Sequence, residues 1–94
     1  MTPSIGRIVH CRLPETHGAD TWRPAIIVNG PWGGLVNLTV FLDGLNDCSS
    51  AEKCRALAQT FGIETPDPGA PLFTTGSRAE GDAPGCWRWP PRHE

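Results

Sequence analysis

The sequence predicts a small, mainly β protein, an SH3-like and partly open barrel of about five strands with one short helical insertion. Three observations carry this. Ten prolines and eleven glycines divide the 94 residues into short segments joined by tight turns. Between those breakers, runs rich in β-branched and apolar residues recur, and a single stretch carries a helical repeat. A chain of this length buries only about 60–65% of its unfolded surface, so residues 1–94 are expected to share one small core. An OB-like barrel is the nearest structural rival.

The opening strand is read in "IGRIVHCR", Ile5 to Arg12, and it stops at Leu13-Pro14. "PETHGAD", Pro14 to Asp20, has no periodicity and reads as an irregular excursion. The second strand is "RPAIIVN", Arg23 to Asn29. Pro24 belongs at its start or at a sheet edge, because proline donates no ladder hydrogen bond. "GPWGG", Gly30 to Gly34, is dense in turn formers and is expected to reverse the chain with Trp32 in the turn.

The third strand, "LVNLTVFL" from Leu35 to Leu42, is the clearest. Val36, Leu38, Val40 and Leu42 fall on one face, while Leu35, Asn37, Thr39 and Phe41 fall on the other. Asp43-Gly44 ends it. Ser49 and Glu52 then stand at capping-box spacing, and Cys54, Leu57, Ala58 and Phe61 recur at helical intervals before Gly62. This predicts an amphipathic helix from Ala51 to Phe61 that covers an open end of the sheet. "ETPDPGAP", Glu64 to Pro71, reads as an extended connection. "LFTTGS", Leu72 to Ser77, is the fourth strand, and "CWRW", Cys86 to Trp89, is a short fifth one stopped by Pro90-Pro91.

The net charge of −2 gives no general attraction to a polyphosphate backbone, although Arg7, Arg12, Arg23, Arg78, Arg88 and Arg92 allow a local basic patch. Nucleic acid is therefore not the expected partner. No run approaches the about twenty apolar residues of a membrane span, and "MTPSIGRIVHC" has neither a basic n-region nor an export-length apolar run. A cytoplasmic protein is expected, with Cys11, Cys48, Cys54 and Cys86 as reduced thiols. No C-x-x-C pair, calcium-loop spacing or phosphate-binding glycine motif occurs, so neither a metal nor a cofactor is predicted. A zinc site using His10 or His17 is a minor alternative. The thiols are expected to be buried and passive; of them Cys48 beside the helix start is the better candidate for reactivity, whereas Cys54 lies on the apolar stripe.

Two resemblances follow from particular segments. "PSIGRIVH", "VNLTVFLDG" with "ND" after it, and the closing "WRWPPR" resemble a family of small proteins carried by bacteriophages and prophages. This likeness implies an SH3-like fold and a viral origin without assigning an activity. "GRIVHCRLPETHGADTWRPAIIV" is similar to the opening of the MazF and PemK toxin endoribonucleases, which are also SH3-like barrels. That likeness implies a phosphate-stabilising role for Arg23. The toxins' threonine or serine after the next strand has no counterpart here, because Thr39 lies inside its strand.

The expected function is that of a non-enzymatic phage or prophage accessory protein that binds a small ligand or a host partner. Its most concrete form sequesters a nucleotide-derived host signal and assembles as a homodimer or higher homo-oligomer. Rings beside arginines suit the stacking of a base, which selects Trp22, Arg23, Trp32, Trp87, Arg88 and Trp89, while Trp87 and Trp89 share a strand face and at least one of them is expected to seal the barrel. Asp43 and Asn46 in "DGLND", read as a turn leading to the helix cap, add polar groups that can line a pocket. The alternatives are a MazF-like endoribonuclease, for which His10, Arg23 and Asp43 supply an acid, base and phosphate set, and a protein–protein adaptor or inhibitor.

Overall fold

The computed structural model describes residues 2–18 and 21–91. Arg92, counted above with the basic side chains, and Ala19 and Asp20 of the first excursion lie outside the described residues. Five antiparallel strands form one sheet: β1 (Ile8–Arg12), β2 (Trp22–Trp32), β3 (Leu35–Phe41), β4 (Leu72–Arg78) and β5 (Trp87–Arg88), in the order β4-β3-β2-β1-β5. Two helices lie between β3 and β4, the single turn α1 (Gly44–Asp47) and α2 (Ala51–Phe61). A 3-10 turn, Glu15–His17, occupies the excursion after β1. Among the described residues no helix is long and apolar enough to cross a membrane.

The sheet curls because its two outer strands meet again beyond β4. Glu80 forms a parallel bridge with Trp87. The Trp87 amide donates to the Ala79 carbonyl at 3.1 Å, and the Gly81 amide donates to the Trp87 carbonyl at 2.9 Å. On its other side β5 pairs with β1, Trp87 opposite Cys11 and Arg88 opposite His10. These contacts make the partly open barrel that the sequence predicts.

Alternation decides what fills it. Val9 and Cys11 of β1, Ala25 and Ile27 of β2, and Val36, Leu38 and Val40 of β3 are all fully buried. Their neighbours Ile8, Leu35 and Phe41 face outward and stay exposed. From α2 come Cys54, Leu57 and Phe61, the last stacked against Phe73 with ring centroids 4.7 Å apart. Trp87 is the largest buried side chain, and its indole N–H donates to the Arg78 carbonyl at 3.1 Å. A buried indole needs such a partner.

Several expectations are corrected. β1 begins at Ile8, because Ile5 and Gly6 form a turn. β2 runs from Trp22 to Trp32, so Trp32 ends a strand opposite Leu35 instead of occupying the turn. The reversal is made by Gly33 and Gly34 alone, with φ of 57° and 85°. A two-residue hairpin loop with both φ values positive matches the twist of its strands, which is why glycine stands at both positions. Pro24 sits in an interior strand, yet the β2–β3 ladder starts at Ala25 opposite Val40, so its missing N–H falls just outside that ladder.

The capping residue is Ser50, whose hydroxyl accepts from the Lys53 amide, and not Ser49 with Glu52. Ser49 instead donates to the Asn46 carbonyl. The helix bounds and the left-handed Gly62 stop agree with the sequence pattern. "DGLND" holds a full helical turn, α1, in place of the expected simple turn.

Trp87→Ala is expected to cost about 3–5 kcal/mol, the range for emptying a buried aromatic site, out of the roughly 5–15 kcal/mol that a domain possesses. Urea titration measures it. Trp87→Phe should lose less, since it keeps most of the ring and gives up the bond to Arg78.

Candidate functional site

The eight side chains selected from the sequence separate into four places. Arg23, Asp43 and Asn46 come together at the mouth of the barrel, in a knot centred on Asp47. The Arg23 guanidinium grips that carboxylate with two bonds, Nε to Oδ2 at 2.7 Å and Nη2 to Oδ1 at 2.8 Å. Asp47 Oδ2 also accepts the Asp43 amide at 2.7 Å, and Asn46 Nδ2 donates to Asp43 Oδ2 at 2.6 Å. His17 Nε2 lies 2.7 Å from the Asp47 carbonyl, so this nitrogen carries the proton and donates. Asp47 is 2% exposed and Arg23 only partly buried.

Burial alone would raise the Asp47 pKa. The hydrogen bonds from Arg23 and from the Asp43 amide, with the positive charge of Arg23, outweigh it and hold the carboxyl below its usual range. Arg23 is shifted up, first by its bonds to Asp47. Its third nitrogen, Nη1, donates to the Trp22 carbonyl at 3.0 Å. With Nε, Nη1 and Nη2 all directed at protein oxygens, Arg23 serves the fold by tying β2 to α1. Three of its five N–H groups are engaged in this way, and the Asp47 carboxylate beside them already compensates the charge that a phosphate would need.

The acid, base and phosphate set considered for a nuclease does not converge. His10 pairs with Pro24 on the outer face of the sheet, whereas Arg23 pairs with Cys11 on the inner one. Thr39 is likewise on the outer face, opposite Ile26 and Thr74.

The second place is the outer face of β2, β1 and β5. Here the Arg88 guanidinium carbon lies 3.9 Å from the Trp22 ring centroid. This is a close cation–π stack between two half-buried side chains. The residue before Arg88 and the one after it turn inward, which is why Arg88 turns out; β1 carries it to within reach of Trp22. The Arg88 side chain makes no hydrogen bond or ion pair with any described residue, and its Nε is buried without a partner.

The third place is the seal. Trp87 is 1% exposed and presents no ring face to solvent, so its selection as a ligand contact is corrected to a core role. Trp89 packs edge-on against it with centroids 5.5 Å apart and is only partly buried. Trp32 stands alone at the fourth place, 53% exposed at the hairpin tip. Nine residues of β2, roughly 30 Å of strand, separate it from Trp22 at the other end of that strand, so the two stand apart.

The thiols are free. Cys48 is fully buried, and burial, then the neighbouring Cys54 thiol, push its pKa up to about 11, in keeping with the passive buried thiol expected for it. Burial likewise raises Cys11 to about 12. Among the described residues no three His, Cys, Asp or Glu side chains gather as metal ligands.

Sequence reasoning missed Asp47 and His17 as the partners that close the Arg23 knot. The carboxylate in "DGLND" was visible, but nothing local links it to an arginine 24 residues earlier. No protein-family model, curated protein or solved structure matches this chain.

The knot makes a pH-dependent contribution. Because the folded pKa of Asp47 lies below its unfolded value of about 4, the stabilisation is fully present above that value and lost as pH falls through the folded one. Thermal melts should therefore drop in midpoint below about pH 4, less steeply in Asp47→Asn. At neutral pH Asp47→Ala should cost about 3 kcal/mol, the low end for a broken buried pair because Arg23 still meets solvent.

Proposed function

We propose that this chain is a non-enzymatic accessory protein of bacteriophages or prophages that binds a small, nucleotide-like ligand in the host cytoplasm, with Arg88 and Trp22 as the principal contacts. The resemblance of "PSIGRIVH", "VNLTVFLDG" and "WRWPPR" to phage-borne proteins supports the origin. One observation supports the binding role above the others. Arg88 is a charged, stacked guanidinium to which no described carboxylate is paired.

The physical argument is one of pre-organisation. A guanidinium laid on an indole has already lost most of its rotamer freedom, so an incoming anion meets a planar fork already in place. A phosphate accepts two bonds from such a fork, and charge-assisted bonds of this type are about twice as strong as neutral ones. His10, paired with Arg88 across β1 and β5, adds a second nitrogen-bearing group on the same face. The half-buried indole of Trp22 beside this fork adds an aromatic edge that suits a base more than a bare phosphate.

The endoribonuclease alternative loses its arginine in this reading, because Arg23 is neutralised by Asp47. Sequestration fits a surface built around a stacked, pre-organised cation. Assembly as a homodimer or higher homo-oligomer belongs to the same proposal, since it would multiply the binding faces.

Isothermal titration against cyclic nucleotides and ADP-ribose derivatives tests the reading. At least one of them should bind, and Arg88→Ala should weaken it about tenfold or more, equivalent to about 1.4 kcal/mol. Arg88→Lys should not restore it, because an ammonium neither stacks nor forks. Silence across the panel, or full affinity in Arg88→Ala, would contradict the proposal.

A further inference from the structure

A groove of about 870 Å³ runs between β4 and the proline-rich segment 63–71. Leu72 and Thr74, on the outer face of the sheet, line it together with Phe73, on the inner face. Both parities are present, so the groove lies along the edge of the strand and not over either face. We propose that this groove receives an extended, basic segment of a partner polypeptide, which adds to the sheet as a sixth strand beside β4.

The hydrogen-bond register supports addition at this edge. The Leu42 amide donates to the Pro71 carbonyl at 2.8 Å, which marks that rung as hydrogen-bonded. In an antiparallel ladder such rungs alternate, so Val40 with Phe73 and Leu38 with Thr75 are also bonded rungs. The N–H and C=O groups of Leu72 and Thr74 therefore point away from β3, into the groove, and meet no described partner. That is the pattern of donors and acceptors an added strand requires.

The opposite wall cannot satisfy them. Pro66, Pro68 and Pro71 lack amide hydrogens, and the segment, expected from the sequence to be extended throughout, turns at Pro68-Gly69, where the Ala70 amide donates to the Asp67 carbonyl at 3.0 Å; it borders the edge without laddering onto it. Charge then selects the occupant. Glu64 and Asp67 line the groove, no lysine or arginine does, and neither carboxylate forms an ion pair with a described residue. A second copy of this chain would bring its own β4, Leu72–Arg78, whose one positive charge, Arg78, sits at the strand's end and is already bonded to the Gly76 and Thr60 carbonyls. A partner strand with lysine or arginine at alternate positions matches both the edge and the acids.

The probe is a capped hexapeptide of alternating lysine and valine, titrated into the ¹⁵N-labelled full chain beside its glutamate-for-lysine counterpart. The lysine peptide should shift and protect the Leu72 and Thr74 amides and bind at least tenfold more tightly than the glutamate peptide. Thr74→Pro removes an amide that β3 does not use and should abolish the binding. The exposed double substitution Glu64→Lys, Asp67→Lys keeps the test decisive should Thr74→Pro not fold, and it should invert the preference between the peptides. Absence of binding, equal binding of both peptides, or shifts confined elsewhere would overturn the proposal. So would a concentration-dependent dimer that protects Thr74, which would give the groove to a second copy. None of these outcomes bears on nucleotide binding at Arg88, on the far side of the sheet order.

Discussion

The closing strand rests on one residue. β5 is two residues long, and Trp87 alone supplies its inward side chain, its bridge to Glu80 and the indole bond to Arg78. Two rungs of ladder with β1 would hold such a strand poorly, since short pairings stand only when a large apolar side chain is buried with them. Here a tryptophan joins both outer strands to the core at once. Gly85 allows the approach: a Cβ there would lie 3.0 Å from Arg78 Nη1 and close to Thr60. Everything on the outer face next to β5, Arg88 included, takes its position from that closure.

The two arginines, 23 and 88, show how placement decides what a charge can do. Arg23 turns inward at the mouth of the barrel, where it meets a buried carboxylate and is spent on connecting β2 to α1. Arg88 turns outward between two inward tryptophans and meets an aromatic ring without a counter-charge. The first arrangement specifies a fold, and the second leaves a cation available to a ligand. This contrast separates the binding reading from the endoribonuclease one more clearly than composition or net charge does.

Much of the architecture was legible because it is local. The alternation of Val36, Leu38 and Val40 gave β3 its buried face, the repeat of Cys54, Leu57 and Phe61 gave α2 its bounds, and Gly62 marked its stop. Errors arose where a local signal had two outcomes. Trp32 among turn formers reads as a turn residue, but Gly33 and Gly34 suffice for the reversal, which frees Trp32 to extend the strand. Ser49 and Ser50 are both competent caps, and only the backbone geometry chooses Ser50. The candidate site was less legible, since both of its key contacts are long-range. Trp87 and Trp89 two apart share a face, but which face depends on the pairing of Trp87 with Cys11. The stack of Arg88 on Trp22 needs β1 between them.

The central claim is that Arg88 is held over Trp22 with its Nε–H buried and with no ion pair to any described residue. The side-chain Nε–H resonance of Arg88 tests it most directly, followed by NMR of the ¹⁵N-labelled protein without ligand. The account predicts a signal displaced upfield by the indole ring and exchanging slowly with water, both features disappearing in Trp22→Ala. An Arg88 Nε–H at the ordinary shift of a solvated arginine, exchanging as fast as those of Arg7 and Arg55, would contradict it.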